Sequence, residues 1–236
     1  MALAFSGGTD SSYLLYAGLA YGAKIRAYYV KTAFQPQFEY DDAMRLAKQL
    51  GADLRVIHKD VLSNKTVAAN PQNRCYYCKT EIFTTLRQAA AEDGYSVLID
   101  GTNASDEAGD RPGMRALQEL SVRSPLRECG ITKADVRALS REAGLFTWNK
   151  PSYACLATRI PAGTTITAEV LERVEHAEDC LFKLGFTDFR IRVFHDAARI
   201  QLPAGQMEAA ISKREKLLHA LEPYFEQIVL DLKARG

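Results

Sequence analysis

No run of about eighteen apolar residues occurs in the 236-residue chain, which argues against a membrane-spanning helix. A one-sided charge is missing too: 30 Lys and Arg against 29 Asp and Glu leave a formal charge of +1. That balance makes no electrostatic case for nucleic acid or an anionic membrane as the main partner. "AFSGG" follows Met1 too closely for a signal peptide, and the five cysteines are an odd number, so a disulfide framework is not expected. Internal repeats and low-complexity stretches are absent as well. A cytoplasmic protein is expected. What is present, 47% apolar and 25% charged residues, is the composition of a soluble globular protein with a core of normal size.

One further absence concerns chemistry. "FSGGTDSS" (residues 5–12) has glycines and hydroxyls suited to a phosphate but lacks the Gly-Lys-Ser/Thr ending of a Walker loop. The stretch follows "ALAF" (2–5), which reads as a short buried strand, and it opens an apolar helical run that stops at Gly22. "KIRAYYV" (24–30), "DLRVIH" (53–58) and "SVLIDGTN" (96–103) read as further strands, separated by helical patterns over 41–51 and 78–94. Strands alternating with helices predict an α/β fold, with a parallel sheet covered on both faces. Beyond "WNKPSYACLATRIP" the pattern changes. A long helix is expected from Thr167, then a hairpin over "FRIRVFHDAARIQLP" (189–203), then a last helical region from about 206 to 235. The expected organisation is an α/β domain over 1–155 and a small α+β domain over 156–236 for substrate binding or oligomerisation.

In such a sheet, ligands bind beyond the carboxyl ends of the strands. Gly7 and Gly8 allow close approach of the backbone, the first helical N–H groups can meet an anion, and Ser6, Ser11 and Ser12 add hydroxyls. Asp10 is read either as a helix cap or as a magnesium ligand. Cys75 and Cys78 have the spacing of a metal or redox pair, and Cys155 lies in a loop flanked by Lys150 and Arg159, cations that favour a thiolate. Cys180 falls in an amphipathic helix and is expected in the core; Cys129 has no assigned role.

"SGGTDSS" resembles the pyrophosphate-binding loop of the N-type PP-loop ATP pyrophosphatases, a Rossmann-like adenine nucleotide alpha hydrolase fold. These enzymes cleave ATP between the α- and β-phosphates, so a lysine for γ-phosphoryl transfer is not required. Gly101, Thr102, Asn103 and Asp106 in "DGTNASD" resemble the superfamily's second nucleotide-side segment. Taken with "NPQNRCYYCK" (70–79), "RPGMRAL" (111–117), "SPL" (124–126), "KPSYACLATR" (150–159) and "RIRVFHD" (190–196), the chain resembles the LarE-type ATP-dependent sulfur transferases over nearly its whole length.

That resemblance implies adenylation of the carboxylates of pyridinium-3,5-biscarboxylic acid mononucleotide with ATP and Mg²⁺. Their conversion to thiocarboxylates would follow, for the nickel-pincer nucleotide cofactor. It also implies a homo-oligomer and a sulfide or other sulfur donor. Two chemical styles occur in the family. One sacrifices the sulfur of the cysteine at position 155. The other holds a [4Fe–4S] cluster on three cysteines, here Cys75, Cys78 and Cys155, and the presence of all three resembles the cluster type. Zinc on the same thiols with a fourth ligand stays open. Arg190 and Arg192, alternating on one strand face, are the implied ligands of the substrate phosphate. Glu178 is the implied functional glutamate, with Glu175 close by. Rival readings are a PP-loop tRNA thiolase, an amidating synthetase, and a non-catalytic nucleotide- or zinc-binding module.

Overall fold

The computed structural model describes residues 1–106 and 112–235 and divides them into two compact units. The first comprises 1–67 and 72–150, and the second comprises 68–71 and 151–236. The chain therefore enters the first unit at Gln72, shortly before Cys75, and leaves it at Lys150, shortly before Cys155.

The first unit opens with β1 (Ala2–Ala4), α1 (Thr9–Ala20), β2 (Arg26–Lys31), α2 (Gln37–Leu50) and β3 (Leu54–His58). It continues with α3 (Lys65–Ala68), which runs one residue past the division, α4 (Arg74–Glu92) and β4 (Leu98–Ile99). Three helices follow: α5 (Pro112–Glu119), α6 (Pro125–Glu128) and α7 (Lys133–Glu142). The four strands pair in the order β3-β2-β1-β4, all parallel. Alternate residues of each strand face opposite ways. Leu3, Tyr29 and Ile99 meet Leu14, Leu46 and Val136 on one face, while Ala2, Tyr28 and Leu98 meet Phe83, Leu86 and Leu117 on the other. Helices thus cover both faces, as near-continuous apolar strands require.

The second unit contains α8 (Ala168–Lys183), β5 (Arg190–Phe194), β6 (Ala197–Gln201), α9 (Met207–Ser212), α10 (Arg214–Leu221) and β7 (Gln227–Leu230). Among the described residues β5 and β6 form a hairpin closed by His195 and Asp196, and β7 joins β6 in parallel. Helix α8 buries Leu171, Val174, Ala177, Glu178 and Leu181, the stripe of an amphipathic helix with one carboxylate set into it. The expected final helical region is corrected here: helix stops at Leu221, and residues 227–230 form a strand. Pro223 cannot continue the helical ladder, and Ile228 and Val229 are β-branched residues that fit a pleated sheet.

Candidate functional site

Strand β1 lies between β2 and β4, so the chain departs from β1 on one side and later returns on the other. That reversal opens a crevice beyond the carboxyl ends of the strands, and the loops that follow β1 and β4 both emerge there. They are "FSGG" and "DGTN", and they touch. A Cβ added to Gly101 would lie 2.7 Å from the Ser11 amide nitrogen and 3.0 Å from its Cα. Gly7 has φ +72°, and a Cβ there would meet the Ala43 Cβ at 2.8 Å. Both positions exclude a side chain, and Gly7 also needs the backbone freedom that only glycine has without strain.

The N-cap of α1 is Gly8, which offers no side chain to the helix's first N–H groups. Asp10 is therefore not the cap. Its Oδ1 accepts a hydrogen bond from Asn103 Nδ2 at 3.2 Å, and its Oδ2 pairs with Lys133 Nζ at 2.5 Å. Ser6 and Ser11 share a hydrogen bond of 3.0 Å across the loop, and Gly8 N donates to Ser6 Oγ at 3.3 Å. Ser12 is fully buried, and its Oγ has no hydrogen-bond partner among the described residues.

In the second loop, Asp100 accepts from Thr102 and from Ser124 Oγ, the latter at 2.7 Å. Asp106 accepts from the buried Asn103 amide at 2.9 Å, and Asn103 Oδ1 accepts from Ser105 N. Ser6, Gly8 and Ser11 are thus hydrogen-bonded within the first loop, Asp10 bonds to Asn103 between the two loops and Asn103 to Asp106 within the second, and Gly7 and Gly101 fit by close backbone approach. Arg111 of the "RPGMRAL" match lies outside the described residues.

Lys133 was not singled out from the sequence. It brings to the crevice the ammonium that the glycine loop lacks, from 123 residues away. A local signal for its helix was present: Thr132 and Asp135 form a capping box, which places Lys133 at the first helical position of α7. Its meeting with Asp10 depends on the packing of α7 against α1.

Cys75 and Cys78 stand one turn apart in the first two turns of α4, and so on one helix face. Cys75 is exposed, Cys78 is half-buried, and the Arg74 guanidinium lies 3.7 Å from Cys75 Sγ. Helix α4 starts four residues before the expected 78, which is why both thiols are helical. Lys150 Nζ pairs with Asp42 at 2.8 Å and Glu39 at 3.5 Å within the first unit. Cys129 is exposed at the end of α6, and Cys180 is half-buried instead of lying fully in the core. Within either unit, no three His, Cys, Asp or Glu side chains among the described residues are grouped as a metal site.

In the second unit Cys155 precedes a 3₁₀ turn over 156–159. Its carbonyl accepts from Thr158 N and Thr158 Oγ1, at 2.9 and 2.8 Å. Arg159 Nη1 donates to the carbonyl of Ala154 at 2.7 Å, to that of Cys155 at 3.5 Å, and to Thr158 Oγ1 at 2.9 Å. The rest of this buried guanidinium faces Glu178: Nε–Oε1 is 2.8 Å and Nη2–Oε2 is 3.1 Å. Glu178 Oε1 also accepts from Ile191 N at 2.9 Å, and Oε2 accepts from the Tyr153 hydroxyl. Burial pushes the Arg159 pKa down, but the hydrogen bond and charge of Glu178 outweigh it and hold the group above its ordinary value. Burial, with the Glu178 charge behind it, raises the Tyr153 phenol.

Arg190 is nearly buried. It donates to the Phe189 carbonyl at 2.6 Å and the Ser152 carbonyl at 2.5 Å, and burial followed by the charges of Arg159 and Arg235 brings its pKa to about 10. Arg192 shares that strand face and donates to Gln201 Oε1 at 2.7 Å and the Thr158 carbonyl at 2.6 Å. It lines a cavity of about 480 Å³, together with Arg159, Thr164, His195 and Arg199. Glu175 lies half-buried one turn before Glu178 on α8.

No family model matches the chain. An uncharacterised protein of Synechocystis is 40% identical over 209 residues, 87% of this chain and 77% of its own length. The pyridinium-3,5-bisthiocarboxylic acid mononucleotide synthase of Lactiplantibacillus plantarum is 35% identical over 233 residues, covering 98% of this chain and 84% of that one. An uncharacterised protein of Methanocaldococcus jannaschii is 28% identical over 232 residues, or 98% and 88% of the two lengths.

Proposed function

Because the chain belongs to the family of the pyridinium-3,5-bisthiocarboxylic acid mononucleotide synthases, we propose that it is an ATP-dependent sulfur transferase. Its substrate is pyridinium-3,5-biscarboxylic acid mononucleotide, in which both carboxylates become thiocarboxylates. The observation that carries the reading is the crevice after β1 and β4, where two glycines exclude side chains and Asp10, Asn103 and Lys133 converge.

The residues fit a nucleotide triphosphate. The uncapped start of α1 offers N–H groups to an anion, the buried Ser12 hydroxyl lacks a partner, and Lys133 brings a point charge to oxygens that carry developing charge. Asp10 supplies the hard oxygen donor for magnesium, and its pairing with Lys133 holds that carboxylate at the crevice. A substrate carboxylate oxygen attacks the α-phosphorus of ATP, the bond to the β-phosphate oxygen breaks, and pyrophosphate leaves on the loop at 6–12. The acyl-adenylate then accepts sulfur at its carbonyl carbon: a C–S bond forms, the C–O bond to AMP breaks, and a thiocarboxylate remains.

For the sulfur, the thiolates of Cys75, Cys78 and Cys155 would hold a [4Fe–4S] cluster, which would supply sulfide for the transfer. Cys75 and Cys78 fit this role as two soft donors on one helix face. Arg159 orients the Cys155 backbone. Glu178 acts through Arg159, because both of its oxygens are taken up by internal partners; it is a positioning residue. Arg192 faces the substrate phosphate from the cavity wall, whereas Arg190, expected beside it, is buried and spends its donors on the Phe189 and Ser152 carbonyls.

The test is formation of AMP and pyrophosphate that depends on the pyridinium mononucleotide. Release of ADP, or stimulation by tRNA and not by the mononucleotide, rejects the assignment. Lys133→Met should slow pyrophosphate release about ten- to a hundredfold, the range for a lost charge-assisted contact, while circular dichroism stays that of the folded chain. Gly101→Ala should slow it roughly a hundredfold, because the two loops must separate by a sizeable fraction of an ångström. Wild-type rates in either variant would detach the crevice from the reaction.

A further inference from the structure

Helix α7 carries Lys133 and Arg137 one turn apart, hence on one face. Lys133 reaches into the crevice and pairs with Asp10. Arg137 serves the 3₁₀ turn over 146–149 and its exit: Nη1 donates to the Trp148 carbonyl and Nη2 to the Lys150 carbonyl, each at 3.0 Å. The glycine loop holds the same turn directly. Thr9, buried at the start of α1, donates its hydroxyl to the Thr147 carbonyl at 2.9 Å. Helix α2 gives a third link, for its Ala43 closes on Gly7 while the neighbouring Asp42 holds Lys150 Nζ at 2.8 Å. Orphan carbonyls at a helix end are ordinarily served by water or a local side chain. Here one partner, Thr9, comes from 138 residues away, and the carbonyls of 147, 148 and 150 all depend on elements that also shape the crevice.

We propose that Arg137 is a positioning residue that couples adenylation to sulfur transfer, by linking what fills the crevice to residues 147–150. That segment runs on to Cys155, five residues past Lys150. A nucleotide brings anionic oxygens that compete with Asp10 for the Lys133 ammonium. Helix α7 is one stiff element, so a displacement at Lys133 reaches the Trp148 and Lys150 carbonyls through Arg137. This rests on the proposed function in taking the crevice as the nucleotide site. An acyl-adenylate formed while the segment is out of place meets water instead of sulfur. Water attacks the carbonyl carbon, the C–O bond to AMP breaks, and the free carboxylate returns beside AMP. A broken link should therefore yield AMP without thiocarboxylate.

Trp148 is the chain's only tryptophan, and the Arg141 guanidinium lies 5.2 Å from its ring centroid, so its emission reports on the segment without turnover. Titration of the full chain with α,β-methylene ATP, which cannot release pyrophosphate, should change that emission with the midpoint found by calorimetry. In Arg137→Gln the affinity should stay within about twofold of wild type while most of the emission change disappears. After anaerobic reconstitution with sulfide, the same variant should release pyrophosphate at close to the wild-type rate. It should form roughly ten- to a hundredfold less thiocarboxylate per AMP, the scale for a reacting group displaced by about an ångström. Arg137→Lys, which keeps a cationic donor for one carbonyl, should recover part of both readouts, and it decides by the same ratio should Arg137→Gln not fold. An unchanged thiocarboxylate-to-AMP ratio, or equal loss of pyrophosphate release and thiocarboxylate in a folded variant, makes Arg137 structural only and overturns the coupling. So does nucleotide binding to wild type that leaves Trp148 emission unchanged, and in that case adenylation stands. If calorimetry finds no nucleotide bound to wild type, the reading of the crevice falls and the coupling falls with it.

Discussion

Glu178→Ala should cost the protein about 3–5 kcal/mol of stability, the range for removing one partner of a buried ion pair. The Arg159 side chain is 0% exposed and that of Glu178 is 2% exposed, so neither charge has water to fall back on. The substitution would also orphan the Ile191 amide and the Tyr153 hydroxyl, which are worth further fractions of that sum and do not add simply. Urea unfolding measures the loss. A double variant, Arg159→Leu with Glu178→Leu, should recover much of it, because what destabilises is the lone buried charge and not the absence of the pair. A loss below about 1 kcal/mol in Glu178→Ala would mean that the guanidinium finds water or another acid.

Glu178→Gln separates stability from chemistry. The amide keeps an acceptor for Arg159 and should fold, but it holds the Ala154 and Cys155 carbonyls less firmly through that arginine. Sulfur transfer should fall while mononucleotide-dependent pyrophosphate release continues. Equal loss of both would make Glu178 a structural residue only.

Cys155→Ala is expected to abolish thiocarboxylate formation and to leave adenylation intact. Under the cluster reading, Cys75→Ala and Cys78→Ala do the same, and all three variants lose iron and the brown absorbance after anaerobic reconstitution. Cys129→Ala and Cys180→Ala retain both, being the exposed end of α6 and a half-buried position of α8. The sacrificial alternative has another signature. There the Cys155 thiolate attacks the acyl-adenylate, AMP leaves, and the Cβ–S bond then breaks with loss of the Cα proton. The spent chain is lighter by one H₂S, turnover stops at one sulfur per protein, and Cys75→Ala and Cys78→Ala remain active. Intact-mass spectrometry after the reaction distinguishes the two. An unchanged mass with repeated sulfide-dependent turnover supports the cluster, and a dehydroalanine at position 155 rules it out.

Much of the architecture was legible in the order of residues. Apolar strands such as "YYV" in β2 and amphipathic helices such as α2 and α8 announce themselves by period, because burial on one face or two is a local property of the pattern. The glycine loop after β1 was legible for a similar reason: a strand that runs into Gly-Gly and a helix start is a local arrangement. The last strand was not. "QIVL" lies within the expected helical region; Pro223 and the β-branched Ile228 and Val229 permit an extended chain there, and pairing with β6 makes it a strand.

The chemistry of the candidate site divides along the same line. The chain itself names the cysteines, the serines of the loop and the alternating arginines, since each is a matter of residue type and spacing. What tertiary structure alone decides is which charges meet. Lys133 reaches Asp10 across 123 positions; Arg159 spends its charge on Glu178; Arg190 turns to backbone carbonyls while Arg192 faces Arg199 across the hairpin. The physical reason is that electrostatic energy depends on distance and burial, and neither is set by separation along the chain.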